Sequence, residues 1–319
     1  MKDVFFSVIV TAYNQHIEIQ RAVDSVLNQT IKCFELIVVD DCSTDNTLEI
    51  LKKYENSNPS LIKIIHLPIN SSSHVARCIG TENATGKFIL FLDGDDYFVP
   101  DALEMLLLKV VKGNEAFDVC EFSYICQPSG EIVNPSVYNS NIPRIDYFLS
   151  NVSKVTVWNK LYRAELIKEA FSNMKKEYIR CGDDTYESII IAFYTQKFIQ
   201  RNILITNYTI TGGVSFRKNS YESNLRHCES LFTSLNCLKS FFEINDYESK
   251  ALLVQTVEKK YFEWILSVMK NNTEIEDIVK SLILLPKFFS VELIEPQLKK
   301  QYKTQLRIKR IKNFLHRFI

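Results

Sequence analysis

Short apolar runs alternate with segments of helical periodicity over the first hundred residues of this chain. The strand-like runs are residues 4–10, 34–39, 62–67 and 88–92, and they are rich in β-branched and aromatic side chains. Between them, apolar residues recur at steps of three and four, which is the spacing of a helix with one buried face. This alternation predicts an α/β fold with a doubly wound, mostly parallel sheet.

The pattern changes to shorter elements of mixed type after residue 117. They are a hairpin, two helices and a longer strand, predicted at residues 119–137, 164–171, 186–195 and 198–208. Beyond Tyr221 nearly everything is helical in period, with a first break near Asn245. The chain therefore divides into a predicted domain over residues 1–215 and a helical C-terminal region over residues 216–319.

Polar side chains follow three of the four predicted strands. Tyr13 comes after the first, Asp41 after the second, and Asp93, Asp95 and Asp96 after the fourth. Ligands of open α/β sheets bind beyond the carboxyl ends of the strands, where these residues would share one crevice. The pattern predicts a ligand site at this edge of the sheet.

The three acids after the fourth strand repel one another, and no cation stands beside them in the sequence. A divalent metal that carries a diphosphate would neutralise them, since hard cations prefer carboxylate oxygens. The alternative is a polar turn before a helix near Pro100, in which the Asp residues supply turn and cap contacts.

Composition narrows the possible partners. The formal net charge is +0 and charged residues make up 24% of the chain, so no nucleic-acid partner is expected. The sequence shows neither a signal-peptide pattern nor an apolar stretch long enough to span a bilayer. The eight cysteines contain no C-x-x-C pair, which favours reduced thiols in the cytoplasm. We expect a cytoplasmic protein that meets a membrane, if at all, from its surface.

Residues 299–319 form a basic segment of their own. They contain eight Lys or Arg residues and no acid, and five apolar side chains recur at helical steps: Ile308, Ile311, Phe314, Leu315 and Phe318. This pattern is typical of a helix that lies in an anionic membrane surface. The alternative is a helix that docks onto the preceding helices through the same stripe.

Residues 4 to about 215 resemble the family 2 glycosyltransferases of bacteria, which have the GT-A fold. Six motifs carry the resemblance in order: residues 8–14, 39–47, 70–86 (Asn70, Ala76, Arg77, Gly80, Ala84 and Gly86), 92–96, 158–162 and 182–184. The chain departs from the family pattern at five positions, which are Thr11 for Pro, Ser72 for Gly, His74 for Ser, Cys78 for Asn and Asp183 for Glu.

The resemblance implies an inverting, metal-dependent enzyme that moves a sugar from a nucleotide sugar, expected to be a UDP-sugar. The acceptor would be a hydroxyl of a bacterial surface glycan or of its lipid-linked precursor. By resemblance, the donor-binding residues are Thr11, Tyr13, Asp41, Asn70, Arg77, Asp93 and Gly94. The metal, Mn²⁺ or Mg²⁺, would bind Asp95 and Asp93.

The resemblance also assigns Asp184 as the general base, assisted by Asp183, and Trp158 and Arg217 as acceptor contacts. Structural alternatives stand beside these roles. Asp184 and Asp41 could cap helices, Arg77 could form a salt bridge with Asp93, and Trp158 could pack in the core.

Two other functions compete with the transferase. A nucleotidyltransferase would need a glycine-rich and basic loop after the first strand, and residues 11–14 are not such a loop. A non-catalytic module that binds a glycan or a nucleotide on the same fold remains the main alternative.

Overall fold

The computed structural model describes residues 4–113, 115–135, 155–210, 221–245 and 250–269. The chain divides into two compact units, Met1–Phe216 and Arg217–Ile319.

The first unit begins with four strands and three helices in strict alternation. They are β1 (Phe6–Ala12), α1 (Ile19–Leu27), β2 (Phe34–Asp40), α2 (Thr47–Ser57), β3 (Ile62–His66), α3 (Ser73–Asn83) and β4 (Phe88–Asp93). β1 pairs in parallel with β2 and β4, and β2 pairs in parallel with β3. Every residue of β1 is buried, as expected for a central strand covered on both faces. The predicted alternation and the parallel pairing are confirmed.

The rest of the unit extends the same sheet with mainly antiparallel pairs. Its elements are β5 (Tyr97–Phe98), α4 (Ala102–Leu106), which continues as a π-helical turn (Leu107–Val111), β6 (Val119–Gln127), β7 (Glu131–Val133), β8 (Lys160–Arg163), α5 (Ala164–Ser172), α6 (Asp183–Tyr194) and β9 (Phe198–Thr209). The strand order of the described sheet is β3-β2-β1-β4-β8-β6-β9-β5, and β7 pairs with β6. The predicted hairpin is confirmed by the antiparallel pairing of β6 with β7.

Several predicted boundaries were wrong by a few residues. β1 runs to Ala12, two residues past its predicted end, because its last residues pair with β2 and β4. α6 begins at Asp183 and not at Tyr186. The aromatic segment over residues 158–162 ends in strand β8, which was not predicted as a strand.

In the second unit the structure describes two long helices, α7 (Tyr221–Ile244) and α8 (Lys250–Met269). They are linked by buried side chains, and the hydroxyls of Ser234 and Tyr261 are 2.6 Å apart. The predicted break near Asn245 is confirmed, because α7 ends at Ile244. None of the described helices combines the length and the apolar character needed to cross a membrane. Residues 299–319, with their predicted amphipathic helix, lie outside the described residues.

Candidate active site

The polar residues that follow the strands meet at one edge of the sheet. β1, β2 and β4 run in parallel and end at Ala12, Asp40 and Asp93. In the register of the sheet Thr11 is the partner of Asp93, and Ala12 is the partner of Asp40. The strand ends therefore form the single polar edge that the sequence predicted.

The turn after β4 passes very close to the end of β1. The backbone N–H of Gly94 donates to the carbonyl of Thr11 at 3.0 Å, and the Thr11 hydroxyl is 3.4 Å from Oδ1 of Asp93. A Cβ on residue 94 would lie 2.9 Å from the Thr11 carbonyl oxygen, closer than real side chains approach. A glycine is therefore required at position 94 to bring the acidic turn against β1.

Two further contacts fix the acidic turn. Arg21 on α1 donates from Nη2 to the carbonyl of Asp95 at 2.7 Å and to the hydroxyl of Thr209 at 3.0 Å. Asp96 accepts the backbone N–H of Thr209 at 2.7 Å and is itself buried. Arg21 was not among the predicted site residues. Its guanidinium lies 4.4 Å from the ring centre of Tyr97, so it is oriented by stacking as well as by hydrogen bonds.

The electrostatics of this turn favour a bound cation. Burial and the neighbouring Asp93 raise the pKa of Asp95 to about 6. Burial, with Asp93 and Asp95, raises the pKa of Asp96 to about 9. Each raised pKa means that the surroundings disfavour the ionised carboxylate. A bound divalent cation would neutralise this negative charge.

The residues at the polar edge fit Mn²⁺ or Mg²⁺ if the protein supplies only some of the metal ligands. Within the described ranges no group of three His, Cys, Asp or Glu side chains is arranged to hold a metal on its own. Two carboxylates, those of Asp93 and Asp95, remain at the polar edge. Magnesium-like ions are commonly held by one or two carboxylates, with substrate phosphates and water as the other ligands. The donor set therefore suits a metal that arrives with a diphosphate.

Tyr13 lies at the mouth of the edge, with 46% of its surface exposed. The next residue, Asn14, has a φ of 52°, and its side-chain oxygen accepts the backbone N–H of Thr44 at 2.7 Å. This contact ties the loop after β1 to the loop after β2. The exposed ring is available to a planar ligand, in keeping with its predicted role at the nucleotide base.

Asp41 organises the loop before α3. Its two carboxylate oxygens accept the backbone N–H groups of Ser71 at 2.6 Å and Ser72 at 2.9 Å. Asn70 donates to the backbone carbonyl of Asp41 at 3.3 Å. The sequence offered Asp41 as a cap for the helix after it, α2, whereas the structure places its carboxylate at the start of α3. Burial raises the pKa of Asp41 even though these two N–H groups lower it.

Arg77 on α3 is the centre of a buried ion network. Only 3% of its surface is exposed. Its guanidinium reaches four carboxylates: Asp93 at 3.3 Å, Asp183 at 3.1 Å, Asp184 at 3.2 Å and Glu187 at 3.1 Å. The salt bridge with Asp93 that the sequence offered as an alternative is present. Through this salt bridge, Arg77 connects the acidic turn after β4 to the first turn of α6.

Asp184 lies in that first helical turn. Gly182 precedes it in the left-handed conformation, with a φ of 85°, and α6 starts at Asp183. Asp184 is therefore not the residue that caps α6, so the predicted alternative of a plain helix cap is wrong. Its Oδ1 is buried and has no hydrogen bond within the described part of the chain, although Arg77 lies beside it.

Burial raises the pKa of Asp184 well above its ordinary value, and the carboxylates of Asp183, Glu187 and Asp93 act in the same direction against the opposing charge of Arg77. About a quarter of the side chain remains open, with an exposed fraction of 28%. An accessible carboxylate with a raised pKa is a stronger proton acceptor than an ordinary Asp.

Glu187 was missed by the sequence reasoning. Its side chain is fully buried one turn after Asp183, where it pairs with Arg77 and with His74 at 2.8 Å. One signal could have found it: a lone Glu within the apolar sequence of α6 must have a buried partner.

The two predicted acceptor contacts stay predictions. Trp158 is 4% exposed and stacks on Tyr208, with the ring centres 4.9 Å apart, which is the packing that the sequence analysis gave as its alternative. Arg217 lies outside the described residues.

A protein-family model described as Glycosyl transferase family 2 matches residues 7–171, which is more than half of the chain. The chain is 26% identical over 219 residues to the glycosyltransferase GlyA of Streptococcus pneumoniae, with 65% of this chain and 31% of GlyA covered. It is 40% identical over 121 residues to the putative teichuronic acid biosynthesis glycosyltransferase TuaG of Bacillus subtilis, with 38% of this chain and 48% of TuaG covered. The chain thus spans less than half the length of these two relatives.

Among solved structures, the chain is similar to the Staphylococcus aureus TarS fragment 1-349 in complex with UDP-GlcNAc. The TM-score is 0.67 at 20% identity, and the match covers 97% of this chain and 89% of that one. At this identity the likeness shows the fold, and it confirms the predicted GT-A type.

Proposed function

Since the chain belongs to glycosyl transferase family 2, we propose that it is a metal-dependent, inverting glycosyltransferase. It moves a sugar from a nucleotide sugar to a hydroxyl of a surface glycan or of a lipid-linked precursor. UDP is the proposed nucleotide, because the similar TarS structure holds UDP-GlcNAc. The name of TuaG, which refers to teichuronic acid, supports a cell-surface polymer as the acceptor class.

One observation carries the proposal. Arg77 contacts Asp93 on the metal-binding turn and Asp184 on α6 at the same time, at 3.3 Å and 3.2 Å. The side chain of Arg77 therefore bridges the candidate diphosphate site and the candidate general base. A transferase needs this proximity, because the bond to the diphosphate breaks as the acceptor oxygen attacks the same carbon.

Tyr13 and Asp41 are the proposed contacts to the nucleotide base, and Asp93 and Asp95 would hold the metal. When bound, the metal neutralises negative charge that develops on the departing nucleoside diphosphate. Arg77 is placed to stabilise the same charge, since a guanidinium fork suits phosphate oxygens as well as carboxylates.

Asp184 takes the proton from the acceptor hydroxyl as its oxygen forms the new bond to the anomeric carbon. The electron pair of the old bond leaves with the nucleoside diphosphate, and attack from the opposite side inverts the anomeric centre. The raised pKa of Asp184 suits this role. Asp183, which replaces the family Glu, orients the turn by binding Arg77 and Ser73.

Peripheral association with an anionic membrane is part of the proposal. It rests on the basic, amphipathic pattern of residues 299–319. A lipid-linked acceptor would bring its hydroxyl to such a surface.

The proposal is tested with a panel of UDP-sugars, Mn²⁺ and a soluble acceptor glycan. The readouts are release of UDP, with donor hydrolysis as a background, and the anomeric configuration of the product by NMR. We expect metal-dependent UDP release and a product whose configuration is opposite to that of the donor.

A product that retains the donor configuration would refute the inverting mechanism. If UDP and Mn²⁺ raise the melting temperature but no donor is turned over, the chain is a binding module instead.

A further inference from the structure

Three consecutive side chains at the start of α3 contact the segment that carries the candidate base. The Ser72 hydroxyl accepts the backbone N–H of Ile179 at 3.3 Å. The Ser73 hydroxyl donates to Oδ2 of Asp183 at 2.6 Å. These contacts join elements that are about a hundred residues apart in the sequence.

His74 makes the third connection with both of its ring nitrogens. Nε2 lies 3.0 Å from the carbonyl of Lys175, which can only accept, so Nε2 carries a proton. Nδ1 lies 2.8 Å from Oε1 of Glu187, whose other oxygen accepts from Arg77. With Glu187 ionised, both ring nitrogens act as donors and the ring is a buried imidazolium.

Lys175 is bound through both of its backbone polar groups. The backbone N–H of Lys175 donates to the hydroxyl of Tyr186 at 2.9 Å, while its carbonyl accepts from His74. The His74 ring also packs edge-on against the Tyr186 ring, with centres 5.1 Å apart. The loop before α6 is thus fixed at a defined point by α3.

Ser72 holds its place at a conformational cost. Its φ is 88° and its ψ is 157°, a backbone conformation that is almost restricted to glycine and is strained for other residues. The family pattern has Gly at this position. The serine nevertheless supplies a hydroxyl for Ile179, and its backbone N–H is held by Asp41.

We propose that residues 72–74 form a clamp that positions Asp184 and Arg77 for catalysis, with His74 as its main positioning residue. This inference rests on the proposed transferase activity. Because His74 neutralises part of the charge of Glu187, it leaves more of the Arg77 charge for Asp93 and Asp184. Ser73 and His74 contact α6 and its preceding loop, so these two residues act on the side of the site that carries Asp184.

The test compares His74→Gln and Ser73→Ala with the wild type and with His66→Gln. His66 is a matched control, since it also pairs with a buried carboxylate, that of Asp40, at 2.7 Å. It lies on β3, and among the described residues it forms no hydrogen bond or ion pair with Arg77 or α6. Each variant is assayed for kcat, for the donor KM and for the affinity for UDP with Mn²⁺, and its melting temperature is recorded.

If residues 72–74 act as this clamp, we expect kcat to fall about tenfold or more in His74→Gln. The donor KM and the UDP affinity should stay within about twofold of the wild-type values. Ser73→Ala shows a smaller loss in kcat with the same split, and His66→Gln keeps the wild-type kcat. Ser73→Ala decides the matter if His74→Gln does not fold, because it removes one hydroxyl from the protein and leaves the imidazolium in place.

Wild-type kcat in folded His74→Gln and Ser73→Ala would overturn the clamp, as would an equal loss in His66→Gln. A wild-type protein without activity on any donor would instead refute the proposed function, so the two failures are distinguishable.

Discussion

Nη1 of Arg77 lies 3.2 Å from Oδ1 of Asp184. The same guanidinium is 3.3 Å from Asp93 at the end of β4, so its charge is shared between the candidate base and the candidate metal site. A change at one of these groups alters the electrostatic environment of the other.

Arg77→Ala is expected to destabilise the fold by about 3–5 kcal/mol at neutral pH, because it leaves buried carboxylates without their counter-charge. The loss should shrink as the pH falls. Arg77 lowers the pKa of Asp184 against the effect of burial, so without Arg77 this pKa rises further. The destabilisation therefore grows as the pH rises above the unfolded pKa of Asp184 and is relieved when the group is protonated.

Urea unfolding at several pH values measures this effect. Arg163→Ala is the control, because Arg163 is half-exposed and pairs with Asp118 at 3.8 Å at the far end of β8. Its expected cost is about 1 kcal/mol with little dependence on pH. An Arg77→Ala variant as stable as the control would contradict the buried network.

Asp95→Asn should abolish metal-dependent binding of UDP and turnover, while the melting temperature of the metal-free protein stays the same or rises. The folded-state pKa of Asp95, about 6, lies above its ordinary value. Ionisation of Asp95 therefore lowers the free energy of unfolding as the pH rises from its ordinary pKa of 3.8 through about 6. The Asn side chain cannot ionise, so the variant does not lose this stability.

Thermal melts of the metal-free variant and UDP titrations with and without Mn²⁺ measure both effects. Asp118→Asn serves as a control that keeps all the acids of the turn. Full wild-type activity in excess chelator would refute the role of the metal.

His74 is expected to remain an imidazolium well above neutral pH. Burial opposes the charge, but contacts with Cys78 and Glu187 raise the pKa of His74 to about 10. Its stabilising contribution should be fully present below its unfolded pKa of about 6.5 and be lost as the pH rises through about 10. NMR titration of the five histidines, with His74→Gln for assignment, measures this pKa. Titration of His74 near its ordinary value would contradict the charged ring.

The strand ends could be predicted from the sequence because a strand that is buried on both faces is apolar throughout, and its end is marked by the first polar residue. Residues 88–92 are all apolar, and the first polar residue after them is Asp93, the last residue of β4. The short strand β5 could not be predicted in this way. Its two residues pair with Asn207 and Thr206, so its conformation depends on a strand more than a hundred residues away.

The sequence predicted the individual residues of the candidate site but not most of the contacts between them. Arg77, Asp93 and Asp184 were named from motifs, and the structure brings them together. Their link to His74 through Glu187 depends on how α3 packs near α6, which no local pattern encodes. For the same reason, the contact of Asp41 with the backbone of Ser71 and Ser72 could not be read from the spacing of side chains.

Deletion of residues 299–319 should leave a protein that folds and acts on a soluble acceptor, but binds anionic liposomes less well. Each basic residue near such a surface contributes about 1 kcal/mol, so the binding of the full chain should also weaken with added salt. Liposome co-sedimentation measures both effects, with neutral lipid vesicles as the control. A truncated chain that is unfolded or insoluble would show that the apolar stripe packs against the protein.

The most direct test of the central claim is the rate of Asp184→Asn beside its affinity for the donor. Asn keeps the size of the side chain but cannot accept the proton, so turnover should fall about 100-fold or more while the affinity for UDP with Mn²⁺ stays within about twofold. Asp118→Asn, at an aspartate that accepts backbone N–H groups from Gln196 and Lys197, should keep the wild-type rate. A near-native rate in Asp184→Asn would show that Asp184 is not the base and would contradict the proposed mechanism.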